Sequence, residues 1–299
     1  MPPRSSSKPG GKRWIAETLF DRLGLRMTFA AARMRREERS AHQHLVLFDH
    51  RHLGRVLMLD GATQLTSADE FIYHEMMSHV PILAHGRACE VLIVGGGDCG
   101  IAHQVLKHGS IARVTQVEID SAVVALAKRH FPELAAPVLA DKRFELVIGD
   151  GNAYVRTSER RFDVVIVDSS DPQGPSAALF GRDFYAAVKR RLSPGGVLVT
   201  QSGVPFFQPG ELAAAVGHWR GLFADASCYV AAVPTYVGGH LAMGWATDDK
   251  RLRRTSARTI AARYRRAGRF ATRYWTPEVH AAAFALPRYI AALVEQAAD

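Results

Sequence analysis

Four acidic residues, Asp98, Glu118, Asp150 and Asp171, each follow a short apolar run rich in β-branched residues. Asp98 closes Gly95-Gly96-Gly97-Asp98 directly after Val91–Val94, and Glu118 follows Val114–Val117. Asp150 lies between Gly149 and Gly151 after Phe144–Ile148, and Asp171 lies in Asp168-Ser169-Ser170-Asp171-Pro172-Gln173-Gly174-Pro175 after Phe162–Val167. A glycine turn lets a ligand approach the backbone closely, and an acid about 20 residues later is spaced to grip a ribose diol. The pattern does not fit a dinucleotide. It lacks GxGxxG spacing, and the Asp98 carboxylate would repel a pyrophosphate, which needs backbone N–H groups and a helix N-terminus instead. A nucleoside with a cationic tail suits the site better, and adenosyl sulfonium compounds have that character. Asp171, at a strand end opposite the glycines, is placed to meet an amine, although Asp-Pro is also ordinary turn chemistry.

The apolar runs read as strands buried on both faces. Between them lie helical patterns, with helices expected from Ile101, over Ala122–His130 and Ala153–Arg156, over Phe184–Leu192 and over Glu211–Phe223. Further strands are expected at Val197–Thr200, Cys228–Val233 and His240–Thr247. Such alternation predicts a parallel, doubly wound α/β sheet that binds ligands beyond its strand ends. Ahead of it, Leu25–Phe29, His44–Phe48 and Arg55–Leu59 read as strands of a small antiparallel domain, with Asp60-Gly61 as a hairpin signal. Ala68–Leu83 switches to helical period, with Phe71, Met76, Met77 and Val80 toward a core and Tyr73 and His74 projecting elsewhere. The expected organisation is a disordered tail over 1–13, an N-terminal β domain over 14–67 and a catalytic α/β domain over 68–299.

The chain has 299 residues, a net charge of +9 and 47% hydrophobic content, enough for one large core and a smaller one. Its positive excess sits at the two ends, whereas residues 60–120 are net acidic around the glycine turn, so the expected ligand is cationic rather than a nucleic acid. Cys89, Cys99 and Cys228 have neither metal nor disulfide spacing, which fits a reduced cytoplasm. No apolar run reaches the ~20 residues that span a bilayer.

Leu59-Asp60-Gly61-Ala62-Thr63-Gln64, Asp69-Glu70-Phe71-Ile72-Tyr73-His74-Glu75-Met76, the Gly95–Asp98 turn, Val117-Glu118-Ile119-Asp120, Gly149-Asp150-Gly151, Asp168–Pro175 and Pro234-Thr235-Tyr236 together resemble the polyamine aminopropyltransferases, the spermidine synthases among them. The C-terminal Val279–Pro287 is also similar, so the likeness runs from about Trp14 to Leu293. It implies a Rossmann-like sheet of the S-adenosylmethionine-dependent methyltransferase type. It also implies transfer of an aminopropyl group from decarboxylated S-adenosylmethionine, a co-substrate rather than a resident cofactor, to putrescine. Position by position, Gln43, Glu118, Asp150 and Gly151 would hold the nucleoside, with Gly95 and Pro175 on the same side, and Asp98 the donor's amine. Tyr73, His74, Asp171 and Tyr236 would line the diamine site, with Trp14, Gln64 and Gln201 nearby, and Asp171 would be the base. No metal is implied, and the assembly would be a homodimer or homotetramer. Two positions depart from the family: Cys99 stands where glycine is usual, and Ser176-Ala177-Ala178 lacks an acid often found there. Glu278 stands where some relatives place an acid near the distal nitrogen.

A methyltransferase on the same fold and a polyamine-binding protein without turnover are the rival readings. Asp98 argues against the first, because intact S-adenosylmethionine carries an α-carboxylate of like charge. The full set of strand-end acids argues against the second. For transfer to an amine, an ammonium of pKa ~10.4 facing a carboxylate of ~3.9 makes proton transfer uphill by roughly 9 kcal/mol. Burial of the carboxylate and the sulfonium charge beside the amine must narrow that gap.

Overall fold

The computed structural model describes residues 13–169 and 178–297. The expected tail over 1–12 and the loop residues 170–177, which include Asp171 and Pro175, lie outside the described residues. Arg13, assigned above to the tail, already belongs to a strand. Two compact units divide between Glu70 and Phe71.

In the N-terminal unit, β1 (Arg13–Ala16) pairs antiparallel with β2 (Thr28–Ala31). A four-stranded antiparallel sheet follows, made of β3 (Arg33–Arg39), β4 (His44–His50), β5 (Gly54–Leu59) and β6 (Ala62–Thr66) in sequence order. Phe29, Val46, Phe48, Val56 and Met58 form its core. The β5–β6 hairpin turns at Asp60-Gly61, both with positive φ (47° and 81°), as a type I′ turn requires. The Leu25–Phe29 expectation is displaced: Met27 accepts a hydrogen bond from Glu17 but the strand itself begins at Thr28. Strand β3, Arg-Met-Arg-Arg-Glu-Glu-Arg, carries no apolar alternation and is an edge strand whose charges stay in water.

Helix α1 (Glu70–His85), whose first residue ends the N-terminal unit, leads into the C-terminal unit and is buried on nearly all sides. Then come β7 (Glu90–Gly95), α2 (Gly100–Leu106), β8 (Arg113–Glu118), α3 (Ser121–His130), α4 (Pro132–Ala140), β9 (Phe144–Ile148), α5 (Gly151–Thr157) and β10 (Phe162–Asp168). The remainder is α6 (Arg182–Arg191), β11 (Leu192–Gln201), α7 (Pro209–Arg220), β12 (Asp225–Ala231), β13 (Leu241–Thr247), α8 (Ala257–Arg266), α9 (Pro277–Ala282) and α10 (Arg288–Gln296). The seven strands lie in the order β12-β13-β11-β10-β7-β8-β9. The alternation predicts a parallel sheet, but the observed one is mixed: β13 runs antiparallel to both β11 and β12. Between β12 and β13 the chain has only a short loop, and a parallel return would need a crossover of a dozen residues or more. Order reverses between β7 and β10, so the ligand crevice of such a sheet falls at their carboxyl ends.

The arginine-rich stretch over 251–273 has structural work to do. The Arg253 guanidinium pairs with the Asp225 carboxylate at 2.7 Å, and Arg263 donates to the Leu83 carbonyl at 2.7 Å, near the end of α1. Buried Glu75 accepts the backbone N–H groups of Arg273, Tyr274 and Trp275 at 2.8–2.9 Å. Arg273 in turn lies 3.7 Å over the Phe71 ring.

Candidate active site

At the crevice, the glycine turn is fitted against the end of β10. Gly95 has φ +89°, and a Cβ there would stand 2.0 Å from the Asp168 carbonyl oxygen, so no other residue fits. The Gly96 N–H donates to that same carbonyl at 3.0 Å. Asp168, the last residue of β10, therefore has its backbone locked to the turn and its carboxyl beside it. Its Oδ1 accepts the Tyr73 hydroxyl at 2.6 Å, while Oδ2 faces the turn, 3.2 Å from where a Gly96 Cβ would be. Burial pushes the Asp168 carboxyl up to about 6; the Asp98 charge adds to the rise, and the Tyr73 hydrogen bond and His74 oppose it. Tyr73 is held well above its ordinary value, first by burial and then by the Asp168 charge, so it stays a phenol and donates.

Tyr73 and His74 are both buried on α1, against the expectation that they leave the core face. A helix covered all round can give one side to apolar packing and another to a polar site. His74 Nε2 stands 3.4 Å from Asp98 Oδ2, and Asp98 Oδ1 accepts the Gly100 N–H at 2.6 Å. The His74 ring fills the space where a Gly100 side chain would go, with ring atoms 2.0–2.5 Å from that Cβ position. Cys99 adopts a left-handed conformation, φ 67° and ψ 4°, a region that favours glycine. Its side chain is buried, and burial pushes the thiol up to about 12, with Asp98 and Glu118 adding to the rise. The Tyr236 ring meets that of Tyr73 edge-on, with centroids 6.0 Å apart.

Glu118 ends β8 almost fully buried, and its Oε1 accepts the Asp120 N–H at 2.8 Å. Burial pushes its carboxyl up to about 7, the Asp120 and Gly97 N–H groups hold it down, and the charges of Asp120 and Asp168 raise it further. Asp120 caps α3 through the Ala122 N–H. Asp150 caps α5, accepting the Asn152 N–H at 2.8 Å, and Gly151 begins that helix at the end of β9. Three carboxylates, Asp98, Asp168 and Glu118, thus face one crevice, close enough that the Asp98 charge raises Asp168 and the Asp168 charge raises Glu118, an arrangement that favours a cationic ligand.

Of the residues singled out in the sequence, Gly95, Asp98, Glu118, Tyr73, His74 and Tyr236 gather around this crevice. Asp150 and Gly151 stand at the neighbouring β9 end, and Gln201 ends β11. Trp14 lies exposed on β1, Gln64 lies on β6, and Gln43 closes a turn in which its backbone exchanges hydrogen bonds with Ser40, all within the N-terminal unit. Glu278 is exposed in the first turn of α9. Asp168 is the crevice residue that the sequence does not point to: it reads as the start of a polar loop, and only strand pairing puts it beside Gly95.

Residues 70–256 match the Spermine/spermidine synthase domain, and residues 14–67 match the Spermidine synthase tetramerisation domain. The chain is 47% identical over 283 residues to a polyamine aminopropyltransferase of Pseudomonas syringae pv. tomato, covering 95% of this chain and 98% of the relative. It is 49% identical over 274 residues to polyamine aminopropyltransferase 1 of Pseudomonas aeruginosa, covering 92% and 95%. Among solved structures it is similar to a spermidine synthase in complex with the transition state analogue AdoDATO, with a TM-score of 0.88 and 31% identity over 95% of this chain and 97% of that one. The spermidine synthase from Thermotoga maritima gives a TM-score of 0.87 at 30% identity, over 98% and 97%.

Proposed function

The chain belongs to the spermine/spermidine synthase family, and we propose that it transfers the aminopropyl group of decarboxylated S-adenosylmethionine to putrescine, forming spermidine and methylthioadenosine. The observation that carries this reading is the Tyr73–Asp168 hydrogen bond of 2.6 Å at the glycine turn, next to Asp98. In the reaction the free amine's lone pair forms a bond to the propyl carbon attached to sulfur. The carbon–sulfur bond breaks, its electron pair returns to sulfur as a neutral thioether, and one proton leaves the new ammonium. The leaving group is already activated, so this chain's residues have to align the partners and provide a free amine.

Asp168 is our choice for the proton acceptor. With its carboxyl at about 6, the gap to a ~10.4 ammonium narrows to ~4 pKa units, or roughly 6 kcal/mol. A neighbouring sulfonium charge lowers the amine further. Tyr73 fixes the carboxylate through Oδ1 and leaves Oδ2 toward the glycine turn. Asp171, the base assigned from the sequence, is proposed instead to hold the acceptor's ammonium. Glu118 takes the ribose diol, with Asp150, Gly151 and Pro175 completing the nucleoside site, while Asp98 holds the donor's amine. Against intact S-adenosylmethionine, the Asp98 charge disfavours the α-carboxylate by about 1–3 kcal/mol. Tyr236 and His74 line the acceptor side, with Gln201 toward the distal nitrogen.

Putrescine is preferred because a longer diamine gains only about 0.8 kcal/mol per buried methylene. Displacing the distal ammonium from its acceptors costs about 1–3 kcal/mol. Putrescine, cadaverine, agmatine and spermidine competing for the decarboxylated donor test this. Equal or greater turnover of any rival reassigns the acceptor, and turnover only with the intact donor replaces aminopropyl transfer by methyl transfer. Copies are proposed to join through the N-terminal unit as a homotetramer, the matched domain's name supporting this over a dimer; the mass of the purified protein in solution decides. A cytoplasmic location is supported by the free state of Cys89, Cys99 and Cys228. Among the described residues, no helix is long and apolar enough to cross a membrane.

A further inference from the structure

Behind the glycine turn, one buried side chain is used neither by the donor-holding acids nor by the proton transfer. Gln116 lies mid-way along β8 with no solvent exposure, flanked in the sheet by Ile93 and Leu146. Standing two residues before Glu118, it shares that residue's face of the strand. Its Nε2 donates to the Gly96 carbonyl at 2.7 Å. That carbonyl also accepts the Cys99 N–H at 2.9 Å, closing the turn that carries Asp98, while the Gly96 N–H is held by Asp168.

The amide's orientation is dictated by its partner. A carbonyl can only accept, so Gln116 must present its NH2 group to Gly96 and turn Oε1 away. Oε1 is buried and meets no donor among the described residues. An unsatisfied buried oxygen destabilises the fold. An unbranched apolar side chain of similar length would fill the site without that cost, so an amide here signals a role other than stability.

We propose that Gln116 is a positioning residue for the donor: it ties the glycine turn to β8 and so fixes the separation of Asp98, on the turn, from Glu118, on the strand. The proposal rests on the reading of this crevice as the site of an adenosyl sulfonium donor. It implies that Gln116 governs donor affinity and leaves the acceptor untouched.

Two substitutions test it, Gln116→Met and Gln116→Glu. For Gln116→Met, the KM for decarboxylated S-adenosylmethionine and the calorimetric Kd of methylthioadenosine should both rise about tenfold, the worth of one lost buried hydrogen bond. The putrescine KM should stay within about twofold, and Tm should hold or rise because Oε1 is gone. Gln116→Glu sets a carboxylate oxygen against the Gly96 carbonyl oxygen at pH 8, whereas at pH 5.5 a protonated Glu can donate to it. Relative to wild type at each pH, its methylthioadenosine affinity should be lower by over ~tenfold at pH 8 and recover to within about threefold at pH 5.5. The proposal is overturned if Gln116→Met leaves donor KM and product Kd unchanged, or raises both substrates' KM alike with a lower Tm, or if Gln116→Glu shows no recovery in acid. A wild-type protein that fails to turn over the decarboxylated donor overturns the functional reading and this proposal with it. Wild-type turnover beside any of the three results above overturns this proposal alone.

Discussion

Replacing Asp168 by Asn tests the proton-transfer step while disturbing little else. The Asn side chain keeps the shape of Asp, and its oxygen can still accept the Tyr73 hydroxyl that Oδ1 accepts at 2.6 Å. What disappears is the ability to take a proton. General bases contribute about 10²–10⁴-fold, so kcat at saturating substrates should fall about 10³-fold, or ~4 kcal/mol. Loss of one of three crevice carboxylates relieves Glu118, whose rise owes part of its size to Asp168. Methylthioadenosine should therefore bind as well as before or better. The pH profile supplies a second readout. With Asp168 pushed up to about 6, wild-type kcat should fall as pH drops through that value and the base becomes protonated. That acid limb should vanish in Asp168→Asn. Stopped-time assays of methylthioadenosine from pH 5 to 9, beside calorimetry, measure both. A kcat within about tenfold of wild type, with the acid limb intact, refutes the assignment. The same outcome paired with a collapse in Asp171→Asn moves the proton to Asp171.

Glu118 sits at about 7, above the 4.5 of an unperturbed side chain, so the folded state binds the extra proton between those values. The stability this gives is complete below about 4.5 and is lost as pH rises through about 7. Glu118→Gln should thus raise the unfolding free energy of the ligand-free protein at pH 8 by about 2–3 kcal/mol and weaken methylthioadenosine binding by about 10–100-fold, checked by urea unfolding and calorimetry. Gly100→Ala drives a methyl into the His74 ring and should cost about 1–3 kcal/mol in urea unfolding while raising the putrescine KM, as His74 moves off Asp98. Glu75→Gln leaves an amide NH2 facing N–H donors now held by a carboxylate; it should cost about 2–3 kcal/mol, with faster hydrogen exchange at residues 273–275.

Much of this architecture is legible in the chain because its strands are apolar on both faces and end in acids. The Val91–Val94 run, its glycine turn and Glu118 can be read without coordinates, since backbone approach and spacing are local properties. Where local chemistry is silent, reading fails. Strand β3 hides behind seven residues of which six are charged, because an edge strand needs pairing but little burial. Helix α4 begins at Pro132 and contains Pro137, a composition that reads as a stop. Strand β11 begins at Leu192 and continues through Pro194-Gly195-Gly196, where its register against β10 shifts. The site shows the same division. Asp98 and Glu118 announce themselves beside the glycines, whereas Asp168 is distinguished by its bond to Tyr73, distant in sequence and close only through tertiary packing. The contacts of Asp98 with His74 and the Gly100 N–H are likewise tertiary or conformational facts that its place after the glycines does not reveal.

The central claim is that the propyl carbon, and not the methyl, moves from sulfur to an amine. Decarboxylated S-adenosylmethionine labelled with carbon-13 in the propyl chain, and separately in the methyl group, should be incubated with putrescine and the purified protein and the products resolved by mass spectrometry. Propyl label should appear wholly in spermidine, methyl label wholly in methylthioadenosine, and the two products in equal amounts. Methyl label in the amine product, or methylthioadenosine released with no labelled spermidine, would contradict it.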